Sequence, residues 1–189
     1  MKNSLFRGIR SHRPVGVIVL LAALVGSGQL GEAWGVEWVR IKSADDKLSA
    51  EFPKEVQNYQ TQTETTAAGK VVTTFGVYEG DGILLSGSGS GVPGLAKMLV
   101  GEAGIFNSSK KRLLGPANGE EVSWKETTIG GYPARILEYK NKAGTEAYAG
   151  KAAFILVGKR MYTLNAVLTK DTPENQAMVD RLANSIEAH

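Results

Sequence analysis

The stretch that decides the fold is KAAFILVGKRMYTLNAVL, residues 151–168. A continuous apolar run leads into Gly158-Lys159, and a second run leads away from it with alternating character. In that second run Tyr162, Leu164 and Ala166 lie opposite Met161, Thr163 and Asn165. Two apolar runs separated by a short glycine-containing turn are typical of a β-hairpin. The stretch therefore predicts two antiparallel strands.

Strand-like patterns recur on both sides of this hairpin. KLSAEFP, residues 47–53, places Leu48, Ala50 and Phe52 on one face, which predicts a half-buried strand. Further strands are predicted over residues 34–42, 83–88, 121–129 and 132–140, and two more over 56–80 with a turn at Ala68-Gly69. Because short links join most of these strands, antiparallel pairing is expected.

Two segments carry helical signals. Pro93 fits the first turn of a helix that is expected to end near Gly104, with a further helical piece over residues 105–114. Asp171-Thr172-Pro173-Glu174 predicts a second helix start, followed by one apolar stripe: Met178, Val179, Leu182, Ala183 and Ile186. The order strands, helix, strands, helix predicts an α+β fold, a mainly antiparallel sheet with helices packed on its faces.

The first 33 residues resemble a secretory leader. Lys2, Arg7, Arg10 and Arg13 precede an apolar run over residues 15–25, and small residues follow. This pattern predicts a signal peptide over residues 1–33 and a single domain over 34–189 that is exported to a periplasmic or extracellular location. The apolar run is much shorter than the roughly 20 residues of a spanning helix, so no stable membrane span is expected after processing.

Charge gives the domain no global preference for polyanions. Of 22 basic and 19 acidic residues, 18 of each remain after residue 33. A nucleic-acid partner is therefore not expected. Lys110-Lys111-Arg112 is the one basic cluster, and a solvated helix end is its simplest interpretation.

The composition excludes many reactive centres. The chain has no cysteine and two histidines, of which His12 lies in the predicted leader and His189 is the last residue. Ser-His-Asp triads, Cys-His pairs and His/Cys zinc sites cannot be built from the remainder. Asp45-Asp46 and Glu120-Glu121 lie in predicted turns or strand starts. Because neighbours on a strand point to opposite faces, neither is expected to form a coupled acid pair, and both are interpreted as solvated turn acids. No catalytic residue, cofactor or metal ligand is predicted.

A glycine-serine stretch, SGSGSGVPG over residues 86–94, leaves two interpretations open. It contains a formal G-x-G-x-x-G, but Pro93 lacks an N–H and the predicted strands around it do not form a parallel βαβ unit. One interpretation is a flexible connection from an edge strand into a helix. The other is a loop over residues 87–94 that holds an anion or small ligand at the helix N-terminus, through Gly89, Ser90, Gly91 and Gly94.

The last third resembles the close of PsbP and Mog1 type domains. The resemblance is carried by IGGYPARILEY, AAFILVGKRMYTLNAVL and MVDRLANSIEA, and loosely spans residues 36–189. It implies an antiparallel sheet covered by helices on both faces, and an accessory role in binding or assembly rather than an enzyme.

Three function hypotheses follow from these observations. The first is an exported non-enzymatic domain that binds a protein or envelope component, with Tyr59, Tyr78 or Tyr148 as exposed anchors or, alternatively, as half-buried sheet packing. The second is a small-ligand or anion binder that uses residues 87–94. The third is an enzyme with carboxylate, lysine or tyrosine chemistry.

Overall fold

Strands and helices follow one another in the predicted order. The computed structural model describes residues 35–57, 71–116, 118–141 and 148–189, and also the backbone of 62–65; side chains are not described for residues 62–65, 71 and 94–98. The elements are β1 Trp38–Lys42, β2 Leu48–Pro53, β3 Gln62–Thr65, β4 Val71–Gly80, β5 Ile83–Gly91, α1 Gly94–Leu114, β6 Gly119–Ile129, β7 Tyr132–Asn141, β8 Ala149–Val157, β9 Arg160–Leu168, α2 Pro173–Asn184 and β10 Glu187–Ala188.

The predicted hairpin lies at the middle of the main sheet. This sheet has seven strands in the order β3-β4-β5-β9-β8-β7-β6, and every neighbouring pair is antiparallel. The β8–β9 turn contains Gly158 with a φ of 61°, a left-handed conformation that favours glycine. The predicted α+β class with a mainly antiparallel sheet is confirmed.

The first two strands belong to a second, smaller sheet that the sequence did not predict. Its order is β1-β2-β10, so the end of the described chain pairs with a strand from its beginning. Helix α2 lies against this layer, where the Arg181 guanidinium stacks 4.5 Å from the centre of the Trp38 ring. The Arg181 Nε also bonds the Glu51 carboxylate at 3.0 Å.

The larger core lies between the main sheet and the layer formed by β2 and α2. The predicted face of β2 is confirmed, because Leu48, Ala50 and Phe52 are all fully buried. Val179 and Leu182 contribute the buried part of the predicted α2 stripe. The main sheet faces them with alternate residues of its strands, among them Phe75, Leu85, Ala134, Ile155, Tyr162 and Leu164.

A second core lies on the opposite face of the main sheet, under α1. Ile105 and Phe106 of the helix are buried there. They pack with the other alternate residues of the strands, which include Leu137, Tyr139, Ala152, Phe154, Leu156 and Met161. Both faces of the sheet are therefore covered in the region of β7, β8 and β9.

The interpretation of residues 86–94 as a flexible connection from an edge strand is wrong. Residues up to Gly91 continue β5, which pairs with β4 on one side and with β9 on the other. The reason is steric. An ideal Cβ on Gly87 would lie 2.5 Å from the Phe75 ring, and one on Gly89 would lie 3.0 Å from the Tyr162 ring. Glycine serves here to admit two aromatic rings onto an interior strand.

The two helices begin and end for local reasons. Helix α1 bends at Gly101, where φ is 63°. The sequence predicted that the first helical piece would end near Gly104, so the observed bend lies three residues earlier than the predicted one. Helix α2 begins at the predicted point. The Thr172 hydroxyl caps it by accepting a hydrogen bond from the Asn175 N–H at 3.2 Å.

Adding one methyl group to β5 tests the steric role of its glycines. We expect Gly87→Ala to lower the free energy of unfolding by about 1–3 kcal/mol, because the Phe75 ring is fully buried and has no room to retreat. Gly91→Ala is the matched control on the same strand, since nothing lies within 4 Å of its ideal Cβ. Urea denaturation of both variants measures the difference. Equal stabilities would contradict the packing argument.

Candidate functional site

An open cleft lies beside α1, on the face of the main sheet that carries the helix. Its volume is about 170 Å³, and its walls come from four strands and the second half of the helix. The lining residues are Val72, Ser88, Ser90, Ser109, Arg112, Leu113, Phe154 and Thr163. The described lining therefore combines one cation, several hydroxyl groups and an apolar floor.

Strand alternation puts the hydroxyl groups on this side. On β5 the glycines Gly87 and Gly89 face the larger core, so Ser88 and Ser90 face the cleft. Cross-strand pairing places Ser88 beside Thr163 of β9 and beside Thr74 of β4. A row of three hydroxyl-bearing residues thus crosses three neighbouring strands.

Helix α1 is held to the far half of the sheet, and this leaves the cleft open. Lys110 Nζ bonds the Glu121 carboxylate of β6 at 2.7 Å and lies 4.6 Å from the centre of the Trp124 ring. Arg135 of β7 stacks 4.8 Å from the Phe106 ring. These contacts attach the helix above β6 and β7, on the side of the main sheet away from β4 and β5.

The basic cluster at the end of α1 is only partly the solvated helix end that the sequence predicts. Lys110 is engaged by Glu121, and Arg112 lines the cleft. Among the described residues, no hydrogen bond or ion pair engages the Arg112 guanidinium. The cleft therefore has a positive charge without a counter-charge from the described part of the chain.

The structure places the four predicted ligand residues in different surroundings. Ser90 lines the cleft, and Ser90 and Gly91 also line a smaller adjoining recess of about 40 Å³ with Val92, Pro93 and Val100. Gly94 is the first residue of α1. Gly89 faces the opposite side of the sheet, toward Tyr162. Whether any of the four binds a ligand stays a prediction.

Sequence reasoning missed Arg112, Ser109 and Thr163 as parts of one site. They come from α1 and β9, which are distant in sequence from residues 87–94. The usable signal was the alternation of serine and glycine on β5, since it fixes which face carries hydroxyl groups. Recognising that signal requires knowing that the stretch is a strand.

The elbow of α1, which we define as Leu99, Val100 and Gly101, exposes apolar surface next to the cleft. The exposed fraction is 81% for Leu99 and 53% for Val100. Val100 also lines the smaller recess beside Pro93. The elbow is therefore the place on the described part of α1 where large apolar side chains are most exposed.

The tyrosines proposed as anchors are placed differently. Tyr78 is half-buried and packs against the larger core, and Tyr148 is half-buried with its ring 6.2 Å from that of Tyr139. Both fit the alternative of sheet packing. Tyr59 lies outside the described residues.

Asp45 is not the solvated turn acid that the sequence predicts. It accepts hydrogen bonds from the Tyr162 hydroxyl at 2.6 Å and from the Ser43 hydroxyl at 2.8 Å, and lies 3.3 Å from the Arg160 Nε. Burial opposes ionisation of Asp45, but these partners outweigh it and hold its pKa below the usual value. Because Asp45 lies in the β1–β2 turn, this cluster ties the small sheet to β9.

Two buried phenols resist ionisation. Burial, together with hydrogen bonding to the Asp45 carboxylate, raises the pKa of Tyr162. Burial also raises the pKa of Tyr139 to about 12, although its hydroxyl donates to Asn165 Oδ1 at 2.8 Å. Both groups are therefore fixed structural donors.

The described ranges hold no group of three or more His, Cys, Asp or Glu side chains placed to bind a metal ion. The adjacent acids Glu120 and Glu121 are both exposed, as predicted for solvated acids, and Glu121 is the partner of Lys110. No helix within the described residues is both long and apolar enough to cross a bilayer.

The fold is PsbP-like. The chain superimposes on cyanobacterial PsbP (CyanoP) from Synechocystis sp. PCC 6803 with a TM-score of 0.57 and 15% identity, over 86% of this chain and 100% of that one. This confirms the fold implied by the sequence resemblance. No protein-family profile and no curated protein matches the sequence.

Two weaker likenesses are LpqN of Mycobacterium tuberculosis, a protein involved in cell envelope biogenesis, and PA94, a protein of unknown function from Pseudomonas aeruginosa. LpqN has a TM-score of 0.45 and 13% identity, over 81% of this chain and 91% of that one. PA94 has a TM-score of 0.37 and 12% identity, over 76% of this chain and 88% of that one. Neither likeness is close enough to support an argument about function.

The Asp45–Tyr162 bond predicts a stability that depends on pH. The lowered pKa of Asp45 stabilises the fold above the ordinary carboxyl range, and this contribution is lost as the pH falls. The raised pKa values of Tyr162 and Tyr139 stabilise the fold below about pH 10, and that contribution is lost as the pH rises further.

We expect Tyr162→Phe to cost about 1.5–3 kcal/mol at neutral pH, because it removes a buried hydrogen bond to a charged group. It should also flatten both the acid and the alkaline loss of stability. Tyr132→Phe, also on the main sheet and half-buried, is the control. Chemical denaturation across the pH range measures the effect, and unchanged pH profiles in Tyr162→Phe would refute this assignment.

Proposed function

We propose that this chain is an exported, non-enzymatic accessory domain that binds a protein or another envelope component through the elbow of α1. The observation that carries the proposal is the exposure of Leu99 and Val100 beside the cleft. Fully burying a side chain of this kind is worth about 1.5–3 kcal/mol relative to leaving it in water. A partner that covered the elbow would gain that contribution.

The geometry of the elbow supports a specific contact. Gly101 adopts a left-handed φ that redirects the helix just after the two apolar residues. The second half of α1 is anchored by Ile105 and Phe106, both buried. The elbow is therefore presented from a firmly packed base, which limits the ordering cost of binding.

Export rests on residues 1–33. Their basic start, apolar run and small-residue exit favour a signal peptide, so the partner is expected outside the cytoplasm. The equal numbers of basic and acidic residues after this segment support a partner other than nucleic acid.

A non-enzymatic role is supported by how the polar groups are used. The sequence offers no cysteine and no histidine between the leader and residue 189. The partly buried polar cluster of Asp45 with Tyr162 and Arg160 joins two layers of the fold. We assign no catalytic residue, cofactor or metal ligand.

A second candidate function is the binding of a small ligand or anion near residues 87–94. Its support is that Ser90 and Gly91 line the recess between β5 and α1. In this candidate function the face of β5 and the side of α1 contribute contacts to the ligand, in addition to the N-terminus of α1.

Site-specific photocrosslinking in the native host tests the elbow. A benzoylphenylalanine residue replaces Leu99, and the matched control replaces Val122, which is 60% exposed on the edge strand β6. We expect one discrete adduct from position 99 and none from position 122, since only the elbow adjoins the cleft. Mass spectrometry of the adduct identifies the partner as protein, lipid or glycan.

Absence of an adduct at position 99, or equal adducts at both positions, would contradict the proposal. Leu99→Glu provides a second test, because a charge at the elbow should weaken the complex. Its thermal stability should stay that of the parent chain, since the parent side chain is 81% exposed.

A further inference from the structure

We propose that the cleft between α1 and the main sheet binds a small organic monocarboxylate, with Arg112 as its charged anchor. This inference rests on the second candidate function and names its ligand class. It extends the set of binding residues, because groups from β4, β8, β9 and the second half of α1 join those of β5.

The charge of the cleft matches a monoanion. Among the described residues that line the cleft, Arg112 is the single charged one, and no ion pair with a described residue neutralises it. A guanidinium group presents paired N–H donors that fit the two oxygens of a carboxylate. A dianionic phosphate would retain one uncompensated negative charge in the same place.

Hydroxyl groups supply the remaining polar contacts. Ser88, Ser90, Ser109 and Thr163 all line the cleft, on two strands and the helix. Each hydroxyl can donate one hydrogen bond and accept others, so together they can bond the oxygens of a carboxylate. The cleft therefore offers a ligand several hydrogen-bonding groups beside the charge of Arg112.

The floor of the cleft favours an apolar substituent on the acid. Phe154 is almost fully buried, and Val72 and Leu113 complete the apolar lining. A volume of about 170 Å³ suits a compact ligand better than a nucleotide or an extended peptide. Short-chain and branched monocarboxylates combine these two requirements.

The position of Arg112 on the helix explains only part of this arrangement. A cation in the last turn of a helix interacts favourably with the carbonyl end of the helix. Lys111 is in the same last turn and satisfies the same preference. It does not line the cleft, however, so it offers a matched control for the charge alone.

The test is a titration of the processed, isotope-labelled chain with butyrate, followed by amide chemical shifts. We expect saturable shifts at Ser88, Ser90, Ser109 and Thr163, and none with the neutral isostere butyramide. Arg112→Gln should weaken butyrate binding about tenfold or more, because a charge-assisted contact is lost. Lys111→Gln should leave binding within about twofold of the parent chain.

Three results would overturn the inference: no saturable shift in the cleft, equal weakening by Lys111→Gln and Arg112→Gln, or tighter binding of inorganic phosphate than of butyrate. Because Arg112 is exposed, its variant should fold, and the unperturbed resonances report this directly. The crosslinking experiment at position 99 tests the elbow independently of butyrate binding. A persistent adduct in an Arg112→Gln chain that fails to bind butyrate would leave the proposed function standing and remove only the carboxylate site.

Discussion

The close approach of two aromatic rings to β5 is the constraint on which both faces of the main sheet depend. Phe75 and Tyr162 occupy the space that side chains at Gly87 and Gly89 would fill. The rings complete the larger core, and the Tyr162 hydroxyl reaches Asp45 to hold the small sheet. Because glycines occupy one face of β5, its serines fall on the other. One local packing requirement therefore determines where the hydroxyl groups lie.

The position of α1 converts this hydroxyl-bearing face into a cleft. Lys110 and Phe106 attach the helix above β6 and β7, through Glu121, Trp124 and Arg135. The helix therefore covers one half of the sheet face and forms a wall beside the other half. The bend at Gly101 then turns the first part of the helix, which brings the exposed elbow next to the same opening.

The class of fold was predictable because hydrophobic alternation and turn residues are local signals. The β2 face, the hairpin at Gly158 and the start of α2 all follow from them. The strand over residues 83–91 was predicted too short, because serine and glycine have low strand propensity and only tertiary packing makes the glycines favourable there. The small sheet was missed because the pairing of β2 with β10 joins residues far apart in sequence.

The site was less predictable than the fold for the same reason. Ser90 and Gly91, two of the predicted ligand residues, line a recess in the structure, but Arg112 reaches it from a segment that the sequence alone marks as a solvated helix end. Asp45 likewise carries no sequence signal of its bond to Tyr162, which lies 117 positions away.

The two tryptophans in the described part of the chain each lie beneath a cation from a different helix: Trp38 beneath Arg181 of α2, and Trp124 beneath Lys110 of α1. Indole emission responds to nearby charge and to water, so the fluorescence of each ring reports whether one helix is packed against its sheet. With Trp34 replaced, the fluorescence of the two rings would distinguish a chain that loosens one layer at a time from one that melts in a single step.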